Sequence, residues 1–197
     1  MKKFTVISVL SILLSIPIFA GVYVENLVGR EFGLFEVLSL ILGFTMLLLI
    51  GMIINSYGFN PKNLELIKSH EVINSLIYGN KKILWFFFPM TMIMEELIFR
   101  YYTISFLIST LQVEIIMSIL ISSVAFSLYH MHTWFRYKNL TILLTNLCYT
   151  LLLGLFNGYI FFTFGIIPCI AIHYTIAFYL YFSLYRKYFK NSITSEN

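Results

Sequence analysis

The sequence predicts an all-α protein, a polytopic transmembrane helix bundle of about six helices with both termini cytoplasmic. Three observations predict it: 59% of the 197 residues are hydrophobic, only 11% are charged, and the lysines and arginines collect in alternate gaps between apolar stretches. A soluble domain of this length needs far more charge to cover its surface, so lipid is the solvent for most of the chain. The expected location is the cell membrane, as a multi-pass protein.

The first apolar stretch, Phe4 to Val24, follows Lys2 and Lys3 and outruns the hydrophobic region of a secretory signal. Ile18-Phe19-Ala20 also makes a poor cleavage site. It reads as a first transmembrane helix in which Pro17 introduces a kink that a bundle tolerates. Further stretches at Phe35 to Ile54, Ile83 to Thr110, Val113 to Tyr129, Leu140 to Phe156 and Gly165 to Tyr185 each come near the ~20 residues needed to span. Tyr159 to Phe164 can extend either the fifth helix or the sixth.

Lys2 and Lys3, then Lys62, Lys68, Lys81 and Lys82, then Arg136 and Lys138, then Arg186, Lys187 and Lys190 share one side. Against them stand Arg30 on the other side and Arg100 inside a span. Such an excess marks the cytoplasmic side. It also accounts for the net charge of +4 without nucleic acid, which is not an expected partner. The chain divides into residues 1–81, two N-terminal transmembrane helices and a cytoplasmic loop; residues 82–190, the bundle with the ionisable residues; and residues 191–197, a short cytoplasmic tail. Within Asn55 to Lys82, Leu64, Ile67, Ile73, Leu76 and Ile77 recur at partly helical spacing among polar residues. That pattern suits an amphipathic helix on the inner leaflet or an ordinary solvated loop. Cys148 and Cys169 lie in apolar runs and are expected to pack as small residues.

An ionisable group inside a bilayer costs several kcal/mol unless it is paired or faces water, so each one marks a possible site. The third stretch contains Glu95, Glu96 and Arg100, the fourth ends at His130, the sixth contains His173, and Glu114 lies near a helix end. Glu96 and Arg100 are one helical turn apart and can neutralise each other, which makes Arg100 a structural ion-pair partner. Glu95 points about 100° away around the helix, without a local counter-charge, as suits a general base. Counted from the cytoplasmic helix ends, Glu95 and His173 both lie roughly 18 Å deep, whereas His130 lies only about 6 Å deep if its helix runs on to Trp134. Two carboxylates and two imidazoles meeting in one cavity can activate water directly or on a bound metal. Each residue also has a structural alternative: an ion-pair network for the acids, an interfacial position for His130 like that of His132, and polar packing for His173.

The motifs resemble those of the CAAX protease and bacteriocin-processing (CPBP, or Abi) intramembrane proteases. Glu95-Glu96-Leu97-Ile98-Phe99-Arg100 fits EExxxR, Phe126 to His130 fits FxxxH, and His173 fits the family's last histidine. Gly154 to Gly158 and Gly165 also look like that family's approach to its final motif. The resemblance covers about Lys82 to Tyr185 and implies peptide-bond hydrolysis at or within the membrane. It implies that Glu95, Glu96, His130 and His173 form the catalytic set, with Glu95 and His130 activating water and His173 helping the oxyanion. The cofactor it implies is either a divalent metal such as zinc, with these same four residues as candidate ligands, or none. The substrate it implies is a peptide or membrane-anchored protein. Where the family commonly has Asn, this chain has Ala177, and Asn146 and Asn157 are the substitute donors the sequence offers. Ala177 therefore keeps open a non-catalytic bacteriocin-immunity or regulatory membrane protein that retains the fold. A small transporter with Glu95 as its proton site is a third reading, disfavoured by the lack of internal repeats.

Overall fold

A computed structural model describes residues 2–29 and 32–190. Arg30, the basic residue assigned to the far side, and the 191–197 tail lie outside the described residues. The described residues form ten α-helices, α1 (Lys2–Phe19), α2 (Leu34–Gly58), α3 (Leu64–Lys68), α4 (Glu71–Tyr78), α5 (Phe88–Glu96), α6 (Ser105–Ser109), α7 (Ile115–Tyr129), α8 (His132–Tyr137), α9 (Leu140–Phe164) and α10 (Ile166–Tyr188). Among the described residues there is no strand, only an isolated antiparallel bridge between Val28 and Gly165.

Among the described residues four spans, Leu34–Gly58, Ile115–Tyr137, Leu140–Phe164 and Ile166–Tyr188, are long and apolar enough to cross a membrane. The outer face of α2 exposes Leu38, Leu42, Leu49 and Ile53, as a lipid-facing helix does. The first stretch stops at Phe19 because Gly21 takes a left-handed conformation. The third stretch is one rod of changing pitch, in which π-helical turns at Ile83–Phe87 and Leu97–Ile104 flank α5. Pro89 at the start of α5 has no N–H to give and crowds the carbonyl one turn back, which the wider turn before it relieves. The ambiguous Tyr159–Phe164 segment belongs to α9.

The Asn55–Lys82 loop contains α3 and α4. Val72 and Ile73 of α4 are buried and, with Leu76, pack against Phe88, Tyr181 and Leu184, so this apolar face covers protein rather than the lipid leaflet. His70 caps α4 by accepting from the Val72 N–H, and its Nε2 lies 3.0 Å from the Tyr181 hydroxyl. Burial, then the charges of Arg136 and Lys3, push the His70 pKa down to about 3, which keeps the ring neutral and able to accept. At the same end Lys3 pairs with Glu71 at 2.9 Å and Arg136 donates to the Ser69 carbonyl at 2.6 Å, gathering basic residues of separate segments on one face. Cys169 is buried as expected, whereas Cys148 is exposed, because it falls on the side of α9 opposite Thr150, Leu153 and Asn157.

At the other end α9 passes into α10 through one residue, Gly165, at φ +87. A β-carbon there would lie 2.6 Å from the Leu27 carbonyl oxygen. Gly165→Ala therefore combines left-handed strain with overpacking and is expected to destabilise the protein by about 2 kcal/mol or more. Thermal unfolding in detergent checks it; an unchanged transition would show that the turn can relax.

Candidate active site

Glu95 and Glu96 close α5, and the π-helical segment that follows carries Arg100. Its wide turn shows in Thr103, whose hydroxyl reaches back five residues to the Ile98 carbonyl. π-Turns of this kind concentrate at functional sites. Glu96 and Arg100 are both fully buried, and Arg100 Nε lies 3.2 Å from Glu96 Oε2. The guanidinium stacks 4.2 Å from the Phe126 ring centroid, a cation–π contact that replaces part of its lost hydration.

The second Glu96 oxygen is shared by two other helices. His173 Nδ1 of α10 lies 2.7 Å from Oε1, and Asn157 Nδ2 of α9 donates to the same atom at 3.0 Å and to the Cys169 carbonyl at 3.2 Å. With Nδ1–H given to Glu96, His173 turns Nε2 toward Glu95, whose Oε2 lies 3.8 Å away. Glu95 thus has a partner, His173, supplied from a distant part of the chain and invisible to local spacing. Its Oε2 is buried and makes no hydrogen bond within the described residues. The adjacent acids are held differently: Glu96 is engaged by Arg100, Asn157 and His173, whereas among the described residues Glu95 meets only His173 Nε2, at 3.8 Å.

Both Glu95 and His173 sit at the deep end of a cavity of about 390 Å³, which His130 and Ala177 also line. The shallow depth estimated for His130 does not hold. The i→i−4 ladder of α7 gives way at His130 and Met131 to bonds reaching only Ser127 and Leu128, so the histidine closes a helix rather than continuing one. The Ser122 hydroxyl, bonded to the Phe99 carbonyl at 2.6 Å, fixes the register of α7 against the Glu95 rod. Seven residues along α7 cover roughly 10 Å and four along the rod roughly 6 Å, which brings the end of α7 near the level of Glu95. His130 Nδ1 is held by the Phe126 carbonyl at 2.9 Å, and the Phe126 ring stands edge-on between His130 and His173. No hydrogen bond or ion pair joins His130 to either glutamate among the described residues. His132 is exposed, as an interfacial residue would be.

Neither substitute oxyanion donor is placed to act. Asn157 is committed to Glu96, and Asn146 lines the cavity roughly 16 Å along α9 from Asn157, toward the basic end. The anchoring role of Asn157 had one signal in the sequence, a polar amide in an apolar span. The cavity also draws Phe4 and Ile7 from α1 and His70 from the loop, so residues 82–190 do not enclose it alone. Among the described residues no three His, Cys, Asp or Glu side chains are grouped to hold an ion, and Glu96 is engaged by Arg100, Asn157 and His173. Arg100→Ala would strand Glu96 as a buried unpaired acid and is expected to destabilise the protein by about 3–5 kcal/mol. Folded yield and thermal unfolding would measure this, and a wild-type transition would refute the structural role.

Residues 80–179 match the family model of type II CAAX prenyl endopeptidase Rce1-like proteins. No curated protein and no solved structure matches the chain. The matched segment contains Glu95, Glu96, Arg100, His130 and His173, the residues that build the buried network and its cavity. With half of the sequence matched, the chain belongs to the type II CAAX prenyl endopeptidase Rce1-like family.

Proposed function

We propose that the protein is an intramembrane endopeptidase of the CAAX-protease type, a multi-pass protein of the cell membrane with both termini cytoplasmic. Its substrate is a membrane-anchored protein or peptide, and a prenylated peptide ending in a CAAX sequence is the natural first choice by family. The observation that carries this reading is the division of labour between adjacent acids. Glu96 is used up in holding Arg100, Asn157 and His173, while Glu95 faces the cavity opposite His173 Nε2. A purely structural network would have no need of the second acid.

In the proposed reaction a water held between Glu95 and His130 gives a proton to Glu95 as its oxygen bonds to the carbonyl carbon, and the carbonyl π pair moves onto oxygen. His173, doubly protonated in this step, steadies that oxyanion through Nε2–H while its Nδ1–H on Glu96 holds the ring in place. Collapse restores the carbonyl, breaks the C–N bond and returns the proton from Glu95 to the departing amine. The products are a carboxylic acid and an amine, which exchange a proton to leave as carboxylate and ammonium, and Glu95 ends as it began. No step runs through a metal.

Purified protein with a fluorogenic prenylated peptide should show turnover that survives chelation. Glu95→Gln, His130→Ala and His173→Ala should each lower turnover by about 100-fold or more while leaving the protein folded. Wild-type turnover in Glu95→Gln would sink the assignment. Loss on chelation, with recovery on adding zinc, would restore the metal. Ala177 lines the cavity with a methyl group, which favours the immunity or regulatory alternative; a cellular function that persists in Glu95→Gln would identify it.

The orientation has its own test. Leu111 is exposed in the turn between α6 and α7, at the end of the bundle away from the basic face. A cysteine at 111 should react with an impermeant thiol reagent added outside intact cells, and one at Lys81 should not. The reverse pattern would invert the topology.

A further inference from the structure

Hydrolysis of an amide builds negative charge on the carbonyl oxygen, and a site with one donor for that charge loses about a hundredfold or more in rate against a site with two. His173 is one donor. One turn further along the cavity face of α10 stands Ala177, which has nothing to donate.

Most other polar groups of the cavity are already bonded. Thr91 donates to the Phe87 carbonyl at 3.0 Å, Thr150 to Asn146, Thr133 to His130, and Tyr149 to Leu47, while Tyr181 is held by His70. Asn55, Asn146 and Tyr137 belong to the basic end; Tyr137, whose buried hydroxyl also lacks a hydrogen bond among the described residues, packs there with Phe59 and Leu184. The phenol of Tyr129 is different. It lines the cavity beside His130, with the two rings perpendicular and 5.4 Å apart. Its hydroxyl has no hydrogen-bond partner among the described residues, the residue is 41% exposed, and its ring packs 5.6 Å from that of Phe99, one turn along the rod from Glu95. The Ser122–Phe99 bond sets Tyr129 slightly nearer the basic end than Glu95. Helical side chains lean toward the N-terminus of their own helix. On α7 that lean carries the phenol back toward the level of Glu95.

Resting on the proteolytic reading, we infer that Tyr129 is a catalytic residue whose hydroxyl donates the second hydrogen bond to the oxyanion, the role that Ala177 cannot fill. The phenol keeps its proton throughout. It strengthens a hydrogen bond as charge develops and moves no electrons of its own.

The test compares wild type, Tyr129→Phe, Glu95→Gln and the double variant Tyr129→Phe/Ala177→Asn in detergent, with the same prenylated peptide. Tyr129→Phe should lower kcat by about 100-fold with KM and the thermal transition nearly unchanged, since the contact exists only in the transition state. The double variant should recover part of that loss, because an amide at 177 enters the same cavity one turn from His173. Wild-type kcat in Tyr129→Phe overturns the assignment while leaving the proteolytic reading intact. A fall accompanied by raised KM or lowered stability assigns Tyr129 to binding or packing and also overturns it. Absence of turnover in wild type, or full turnover in Glu95→Gln, removes the proteolytic reading and the role of Tyr129 with it.

Discussion

The buried pair of Glu96 and Arg100 is the constraint on which the rest of the site depends. Both are wholly removed from solvent, and a lone charge at that depth would cost several kcal/mol, so the pair demands further partners. Two helices answer that demand, α9 with Asn157 and α10 with His173. Phe126 of α7 takes the other face of the guanidinium. A single acid thus sets the relative positions of four segments distant in sequence, and the orientation of His173 follows from it. The neighbouring acid, one residue earlier and about 100° around the helix, is left facing the cavity.

Much of this was legible in the sequence. Rarity of charge in an apolar chain singled out Glu95, Glu96, Arg100, His130 and His173, and the i,i+4 spacing named the ion pair. The apolar stretches located the helices, and the sorting of lysines and arginines anticipated the one basic face that Lys3, Glu71, Arg136 and Ser69 tie together. What escaped was non-local or depended on pitch. Depth counted at a uniform rise from soft helix ends misplaced His130, because it assumed that α7 ran on unbroken. Spacing along one helix could not reveal that His173 would serve both acids. Asn157 was visible as a polar residue but not as the anchor of Glu96, since its partner lies 61 positions away. Tyr129 was concealed by company, one of 14 tyrosines in a membrane protein where such residues usually mark interfaces.

The short helix α4 illustrates how context decides the use of an amphipathic pattern. Its apolar face could have met lipid, but Tyr181 and Leu184 offered a protein surface, and the neutral His70 secures the contact from both ring nitrogens. The basic end of the cavity is therefore bordered by a helix anchored on the same α10 that presents His173.

Beyond Glu95 and His173 the cavity stops. The next layer is Leu97, Tyr101, Ile104, Ile160, Phe161 and Ile166, nearly solvent-free, with the turn at Gly165 stitched to Leu27 and Val28 above it. The cavity lining ends at the carboxylates, and among the described residues a dry layer separates it from the Gly165 end. On the proteolytic reading, hydrolysis would be housed in a well closed at one end, an arrangement that keeps a file of water, and the protons it could carry, from linking the two sides of a membrane.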